Sequence, residues 1–151
     1  MTRDLRFVVL AAQGDIMAEF HKVAPLFDRV VGEAAHGEFT TADLMRLGME
    51  GRLLLGYAER DGRTVVAAAF EFVHYPRLKA LNVVALAGEP LEFRGAFDGY
   101  WRQLTEFARS CGCARIEAKC SRAMARLLRA GYGFASVYEH VGIDLPTETK
   151  V

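Results

Sequence analysis

The chain lacks most of what would mark a secreted, membrane-spanning or nucleic-acid-binding protein. Cysteine is sparse: Cys111, Cys113 and Cys120 are the only three in 151 residues. An odd count with no secretory leader to be read ahead of it points to reduced thiols, not to a disulfide framework. The C-x-C pair with Cys120 has no nearby histidine to complete a four-ligand set, so no metal site is expected. An excess of one charge is missing as well, because 19 Lys and Arg balance 19 Asp and Glu. A neutral chain offers no electrostatic footprint for nucleic acid, so a sequence-specific nucleic-acid partner is not expected. Long apolar runs are absent. The run from Phe7 to Ala12 is closed by Gln13 and Asp15, far short of the roughly 20 apolar residues that cross a bilayer. No linker, repeat or low-complexity stretch interrupts the chain. The expectation is a single cytoplasmic domain over 1–151, with a short polar tail from Pro146 and no membrane span.

What is present is enough to build a core. The chain is 52% hydrophobic and 25% charged, a globular composition. Phe7 to Ala12 has strand length and suits a strand covered on both faces. Asp15 offers a helix cap, and Ile16, Phe20, Val23, Phe27, Val30 and Val31 follow near helical spacing. Pro25 should kink or split that helix. Thr40 or Thr41 caps a second helix ending near Gly51. Leu53 to Glu59 and Thr64 to His74 read as strands joined through Asp61-Gly62, a pair suited to a tight hairpin. Tyr75-Pro76-Arg77 turns the chain into a third strand, Leu78 to Ala87. Phe97, Tyr100, Trp101, Leu104, Phe107, Ala108 and Cys111 recur at helical steps, and Gly112 stops that helix. Arg115 to Cys120 is a strand. Ser121 caps a helix carrying Met124, Leu127 and Leu128, with Gly131 as its stop. Phe134 to Leu145 is the last strand. The fold class is α/β, a mixed sheet with helices on both faces, in the order β-α-α-β-β-β-α-β-α-β.

Ser121 to Phe134, SRAMARLLRAGYGF, resembles the closing motif of the GNAT N-acetyltransferase family, roughly N-x-A-x-x-L-Y-E-K-x-G-F. The order of elements resembles that family's order along the whole chain. The resemblance implies the acyl-CoA N-acyltransferase fold and acetyl-CoA as the acyl donor. It implies that the end of the third meander strand, at Ala85, Leu86 and Ala87, gives backbone groups to the pantetheine arm. A loop of the pattern Q/R-x-x-G-x-G/A then brings backbone N–H groups to the pyrophosphate at a helix N-terminus. Here Arg94, Gly95 and Gly99 are the remnants of that loop. Phe97 fills a place the pattern gives to a small residue in either alignment. Glu89, Glu92 and Asp98 add carboxylates around a site meant for an anion, with Asp98 read as decoration of a helix first turn.

Acyl transfer to an amine needs a base and an acid. The strand from Leu78 to Ala87 carries no carboxylate, which leaves Glu71 on the preceding strand as the candidate base. It shares a face with Ala69 and Val73, and the competing reading is a rim carboxylate. His74 and Tyr75 end that strand and are better read as packing or turn residues. Ser121 stands where the family has Asn, and Leu127 where it often has the tyrosine that protonates the leaving thiolate. Tyr138 on the last strand is the remaining candidate acid, with His140 beside it. Cys120 and Ser121 meet a helix N-terminus but are explained by burial and capping.

Two expectations follow from these departures. The first is a non-catalytic protein with no bound cofactor that acts by contact with a protein partner or assembly. It resembles GNAT-like proteins of tailed phages, which implies a virion, assembly or ejection component located in a particle assembled in the cytoplasm. Phe93, Tyr100 and Trp101 would be its contact residues, with ordinary core packing as the competing reading. The alternative is an active acetyl-CoA-dependent N-acetyltransferase on a small-molecule or protein amine.

Overall fold

A computed structural model describes residues 5–33, 37–89 and 93–147. The chain divides into two compact units, Met1–Cys120 and Ser121–Val151. The first holds β1 (Arg6–Leu10), α1 (Gln13–Glu33), α2 (Thr41–Met49), β2 (Leu54–Arg60), β3 (Arg63–His74), β4 (Lys79–Gly88), α3 (Phe93–Ser110) and β5 (Arg115–Ala118). The second holds α4 (Arg122–Gly131). The five strands form one mixed sheet in the order β1-β2-β3-β4-β5. The first three pairings are antiparallel, and β4 with β5 is parallel.

The two faces of the sheet carry different cores. Leu10, Leu55, Tyr57, Ala67, Ala69, Ala85 and Ala87 pack with Ile16, Phe20, Val23, Leu26 and Phe27 of α1 and Leu44 of α2. On the other face, Phe7 lies against Tyr100 and Phe107, and Phe70 against Phe107, with ring centroids 5.2, 6.2 and 5.9 Å apart. Small residues along β3 let α1 sit close, since Ala67 and Ala69 face it and are fully buried. β1 proves to be an edge strand. Its apolar run is still explained, because helices cover both of its faces.

Local signals fixed most boundaries. Thr40 is the α2 cap: its hydroxyl accepts from the Asp43 N–H, and the Asp43 carboxylate accepts from the Thr40 N–H, a reciprocal capping box. The hairpin between β2 and β3 turns at Asp61 and Gly62, with φ of 54° and 76°, the geometry Asp-Gly tolerates best. Ser121 caps α4 by accepting from the Met124 N–H.

Several expectations are corrected. α1 runs unbroken through Pro25, which sits on the exposed side of the helix, where the carbonyl freed by the missing N–H can bond to water. Asp15 lies inside the first turn of α1 and is not its cap. α3 begins at Phe93, a turn earlier than the apolar spacing suggested. Gly131 is the last residue of α4, and the left-handed residue beyond it is Gly133, with φ of 74°. No strand forms over Phe134–Leu145, because residues 133–147 make no ladder.

Candidate functional site

The site begins where two parallel strands part. β5 pairs with β4 over only four positions, from Ala80 with Arg115 to Val83 with Ala118. β4 continues five residues further, to Gly88. Along Val84–Gly88 the β5 side of β4 therefore has no strand partner among the described residues. A bulge sits at the same point: Ala69 faces Ala85 and Phe70 faces Val83, so Val84 is an extra residue on β4. Bulges twist a strand and re-aim its groups, and they recur next to functional sites. Splay and bulge together open the backbone of β4 at its C-terminal half.

That backbone leads to a helix N-terminus. β4 ends at Gly88 and α3 starts at Phe93, so the first-turn N–H groups, which have no acceptor within the helix, follow the open edge after four residues. Arg94 and Gly95 lie in that first turn. Among the described residues, a Cβ built on Gly95 would meet nothing within 4 Å. Gly99 is different: a Cβ there would come within 3.1 Å of Leu5 Cδ2, which makes it a packing glycine. Phe97 is buried and stacks near Trp101, with centroids 6.5 Å apart. It anchors α3 and does not occupy the first turn.

Two of the three acids expected here, Glu89 and Asp98, are described. The first turn of α3 carries no acid, and Asp98 falls in the second turn. Glu89 lies 3.8 Å from the Arg29 guanidinium, which offsets its charge. Glu92 lies outside the described residues. An anion at this helix start would meet the dipole of an 18-residue helix. An open strand edge that leads to a helix N-terminus is a geometry suited to an extended ligand with an anionic end.

A polar row crosses the sheet at the mouth of the split. Glu71 of β3, Asn82 of β4 and Glu117 of β5 are register partners. All three are half-buried, on the face covered further along by α1. Asn82 Nδ2 donates to Glu71 Oε1 at 3.0 Å, and the Tyr75 hydroxyl donates to Glu117 Oε1 at 2.6 Å. Arg115 stands 3.8 Å from the other Glu117 oxygen. Glu71 is thus a held carboxylate one strand away from the parting backbone, with lone pairs left to accept a proton. The expectation that Tyr75 is only a turn residue misses its bond to Glu117.

Asn82 and Glu117 were missed in the sequence. Asn82 could have been found, because a four-residue turn between His74 and Lys79 makes paired residue numbers sum to 153, which places 82 opposite 71. Glu117 had no such signal, since a parallel pairing carries no turn to set its register.

Ala85 and Ala87 turn their side chains into the α1 core, so only their backbone is on offer, and Leu86 is half-buried. Tyr138 is 87% exposed and lies in the second unit, on no strand. Tyr100 is fully buried, which favours core packing over the reading of an exposed contact residue. The side chain of Phe93 lies outside the described residues. Cys113 is buried, and burial pushes its thiol up. Among the described residues no group of His, Cys, Asp and Glu could hold a metal ion, and no helix is long and apolar enough to cross a membrane.

A separate polar cluster clamps α1 to β2. The Tyr57 hydroxyl and Lys22 Nζ both donate to Glu19 Oε1, each at 3.0 Å. The Lys22 hydrogen bond draws the Glu19 carboxyl below its usual range, while burial pushes the Tyr57 hydroxyl up. These groups satisfy one another and leave no base to spare.

No protein-family model matches the chain, and no curated protein matches it in sequence. Solved structures do match along nearly its whole length. A ribosomal-protein-alanine N-acetyltransferase from Brucella melitensis biovar Abortus 2308 is 16% identical, with a TM-score of 0.74 over 95% of this chain and 100% of that one. An aminoglycoside N-acetyltransferase in complex with CoA is 10% identical, with a TM-score of 0.71 over 97% and 98%. A predicted acetyltransferase with acetyl-CoA from Clostridium acetobutylicum is 16% identical, with a TM-score of 0.67 over 93% and 96%. At these identities the likeness establishes the fold.

Proposed function

We propose that this chain, which has the fold of the GNAT acetyltransferases, is an acyl-CoA-dependent N-acyltransferase. The observation that carries the proposal is the parting of β4 from β5 after Val83 and Ala118, with a bulge at Val84 beside it. Structural neighbours solved with CoA or acetyl-CoA support the choice of donor. Backbone groups of Val84–Gly88, with Ala85, Leu86 and Ala87 at the centre, bind the arm. The first turn of α3 at Arg94 and Gly95 receives the pyrophosphate, and Gly99 serves by seating the helix on Leu5. Bound there, acetyl-CoA supplies an activated thioester.

Glu71 accepts the proton of the attacking amine, directly or through one water, and Asn82 fixes the orientation of its carboxylate. Leu127 has no proton to give, so protonation of the departing sulfur falls to water. The neighbours' acceptors, an aminoglycoside and a ribosomal-protein alanine, define the amines to try first. The test follows thiol release from acetyl-CoA in the presence of aminoglycosides and of alanine-leading peptides. Amine-dependent release is expected, and Glu71→Gln should lower kcat/KM by roughly 10²–10⁴-fold with the fold kept. No release with any amine, or equal rates for both proteins, would contradict the proposal.

A second reading, a non-catalytic protein that acts by contact in an assembly such as a phage particle, draws on the exposed apolar side chains of residues 137–145. It predicts no turnover and no CoA binding.

A further inference from the structure

We propose that Cys111 and Cys113 form an oxidisable dithiol, a modification site at which a hydroperoxide closes a disulfide across Gly112. The pair sits in the turn that ends α3. The Cys111 N–H donates to the Phe107 and Ala108 carbonyls at 3.1 and 3.2 Å, the Gly112 N–H to the Arg109 carbonyl at 3.0 Å, and the Cys113 N–H to the Ala108 carbonyl at 2.9 Å. Gly112 is left-handed, with φ of 80°, as this helix ending requires. Two residues apart, the Cα atoms of the cysteines are separated by at most about 7 Å, and the left-handed turn folds the chain below that limit. A disulfide spans roughly 4.4–6.8 Å between Cα atoms. Burial pushes the Cys113 thiol up, and two nearby charges also reach it: Lys79 draws it down and Cys111 raises it. The two thiols are therefore close enough to sense each other.

Exposure divides the work between them. Cys111 is half-buried and Cys113 is buried, so the oxidant reaches Cys111 first. A cation stands at the turn: Lys79 Nζ donates to the Cys111 carbonyl at 2.8 Å and lies 4.3 Å over the Phe72 ring. A fixed ammonium favours the thiolate, which is the attacking form. The Cys111 sulfur takes the terminal oxygen of the hydroperoxide, the O–O bond breaks, and the departing alkoxide leaves with the thiol proton as an alcohol (as water from hydrogen peroxide). Cys113 then attacks the Cys111 sulfur, the S–O bond breaks, and hydroxide leaves with the Cys113 proton as water. The two thiols lose two electrons and the peroxide gains them. So short a loop removes little entropy from the unfolded chain, so the bond is a poor staple and stays reducible. The same turn leads into β5: the Ala114 N–H donates to the Lys79 carbonyl at 2.9 Å, one residue before Arg115 pairs with Ala80. No step of the proposed acyl transfer uses either thiol.

The test treats the reduced full chain with a small excess of hydrogen peroxide, alkylates the remaining thiols with iodoacetamide in denaturant and maps the tryptic peptides by mass. Cleavage after Arg109 and Arg115 puts both cysteines in one peptide, Ser110–Arg115, and Cys120 in another. The expected result is a Ser110–Arg115 peptide lighter by two hydrogens with neither thiol alkylated, Cys120 alkylated as in the untreated protein, and full reversal by dithiothreitol. Cys113→Ala should stop the reaction at a sulfenic acid on Cys111, trapped by dimedone, and Cys111→Ala should leave Cys113 alkylatable after the same exposure. The wild-type map needs neither variant to fold and neither needs acyl transfer to occur. A bridge to Cys120, within a chain or between chains, overturns the inference. A sulfinic acid on Cys111 in place of the bridge, or three alkylated thiols after the peroxide is consumed, overturns it as well.

Discussion

Replacing Tyr100 with Phe should stabilise this protein. Tyr100 is fully buried beneath β1, its ring 5.2 Å from that of Phe7 and tilted at 58°. Its hydroxyl is buried and has no hydrogen-bond partner among the described residues. A buried hydroxyl left unpaired costs roughly 1–3 kcal/mol in desolvation. Phe keeps the ring contacts and removes that cost, at the expense of a void the size of one oxygen. The net gain should be about 1 kcal/mol, or roughly 2–4 °C in Tm for a chain of this length. Burial also pushes the hydroxyl well above its ordinary value of 10.0. In the unfolded chain the phenol ionises near that value, while in the folded chain it holds its proton. The native state thus binds more protons above about pH 10, and the wild type loses stability there by up to ~1.4 kcal/mol per pH unit through this group. Y100F has no such loss, so its advantage should widen as pH rises past 10. Urea unfolding of both proteins at neutral pH and at alkaline pH reads both effects. Destabilisation by more than about 1 kcal/mol at neutral pH would refute the reasoning, because it would mean that the hydroxyl has a partner.

Three further substitutions test other parts of the structure. Gly56→Ala places a Cβ within 3.2 Å of the Phe70 ring and 3.3 Å of the Val8 carbonyl; overpacking of about 1–3 kcal/mol should appear as a lower urea midpoint. Thr40→Ala removes the hydroxyl half of the α2 capping box and should cost about 1 kcal/mol, with Thr40→Ser recovering most of it. Glu71→Gln, already central to the rate measurement, should leave the urea midpoint within about 0.5 kcal/mol of wild type if its role is chemical and not structural.

The sequence made the sheet legible because its signals were local. Asp61-Gly62 and Tyr75-Pro76-Arg77 each mark a turn, and a turn sets the register of the strands it joins. Thr40, Gly112 and Ser121 mark helix ends through backbone chemistry that each residue performs by itself. What stayed hidden depends on distance. The bulge at Val84 is set by how β3 and β4 pack, and no residue in β4 announces it. The early start of α3 escaped because Arg94, Gly95 and Ala96 carry no apolar periodicity. Tyr100 looked like a contact residue because its spacing cannot tell a core aromatic from an interfacial one. Phe134–Leu145 has the alternation of a strand, but alternation states only which face is apolar, not which edge will pair with it.

The central claim is that the open end of β4 and the first turn of α3 hold CoA. Gly95 gives the cleanest handle, because a side chain there meets nothing within 4 Å and should leave the fold intact. The decisive measurement is calorimetric titration of CoA into the wild type and into Gly95→Glu, with the urea midpoint of each recorded alongside. Wild-type binding at about micromolar Kd, lost in a Gly95→Glu protein of unchanged stability, is the predicted result. No binding by the wild type at about millimolar CoA, or equal binding by both proteins, would contradict it.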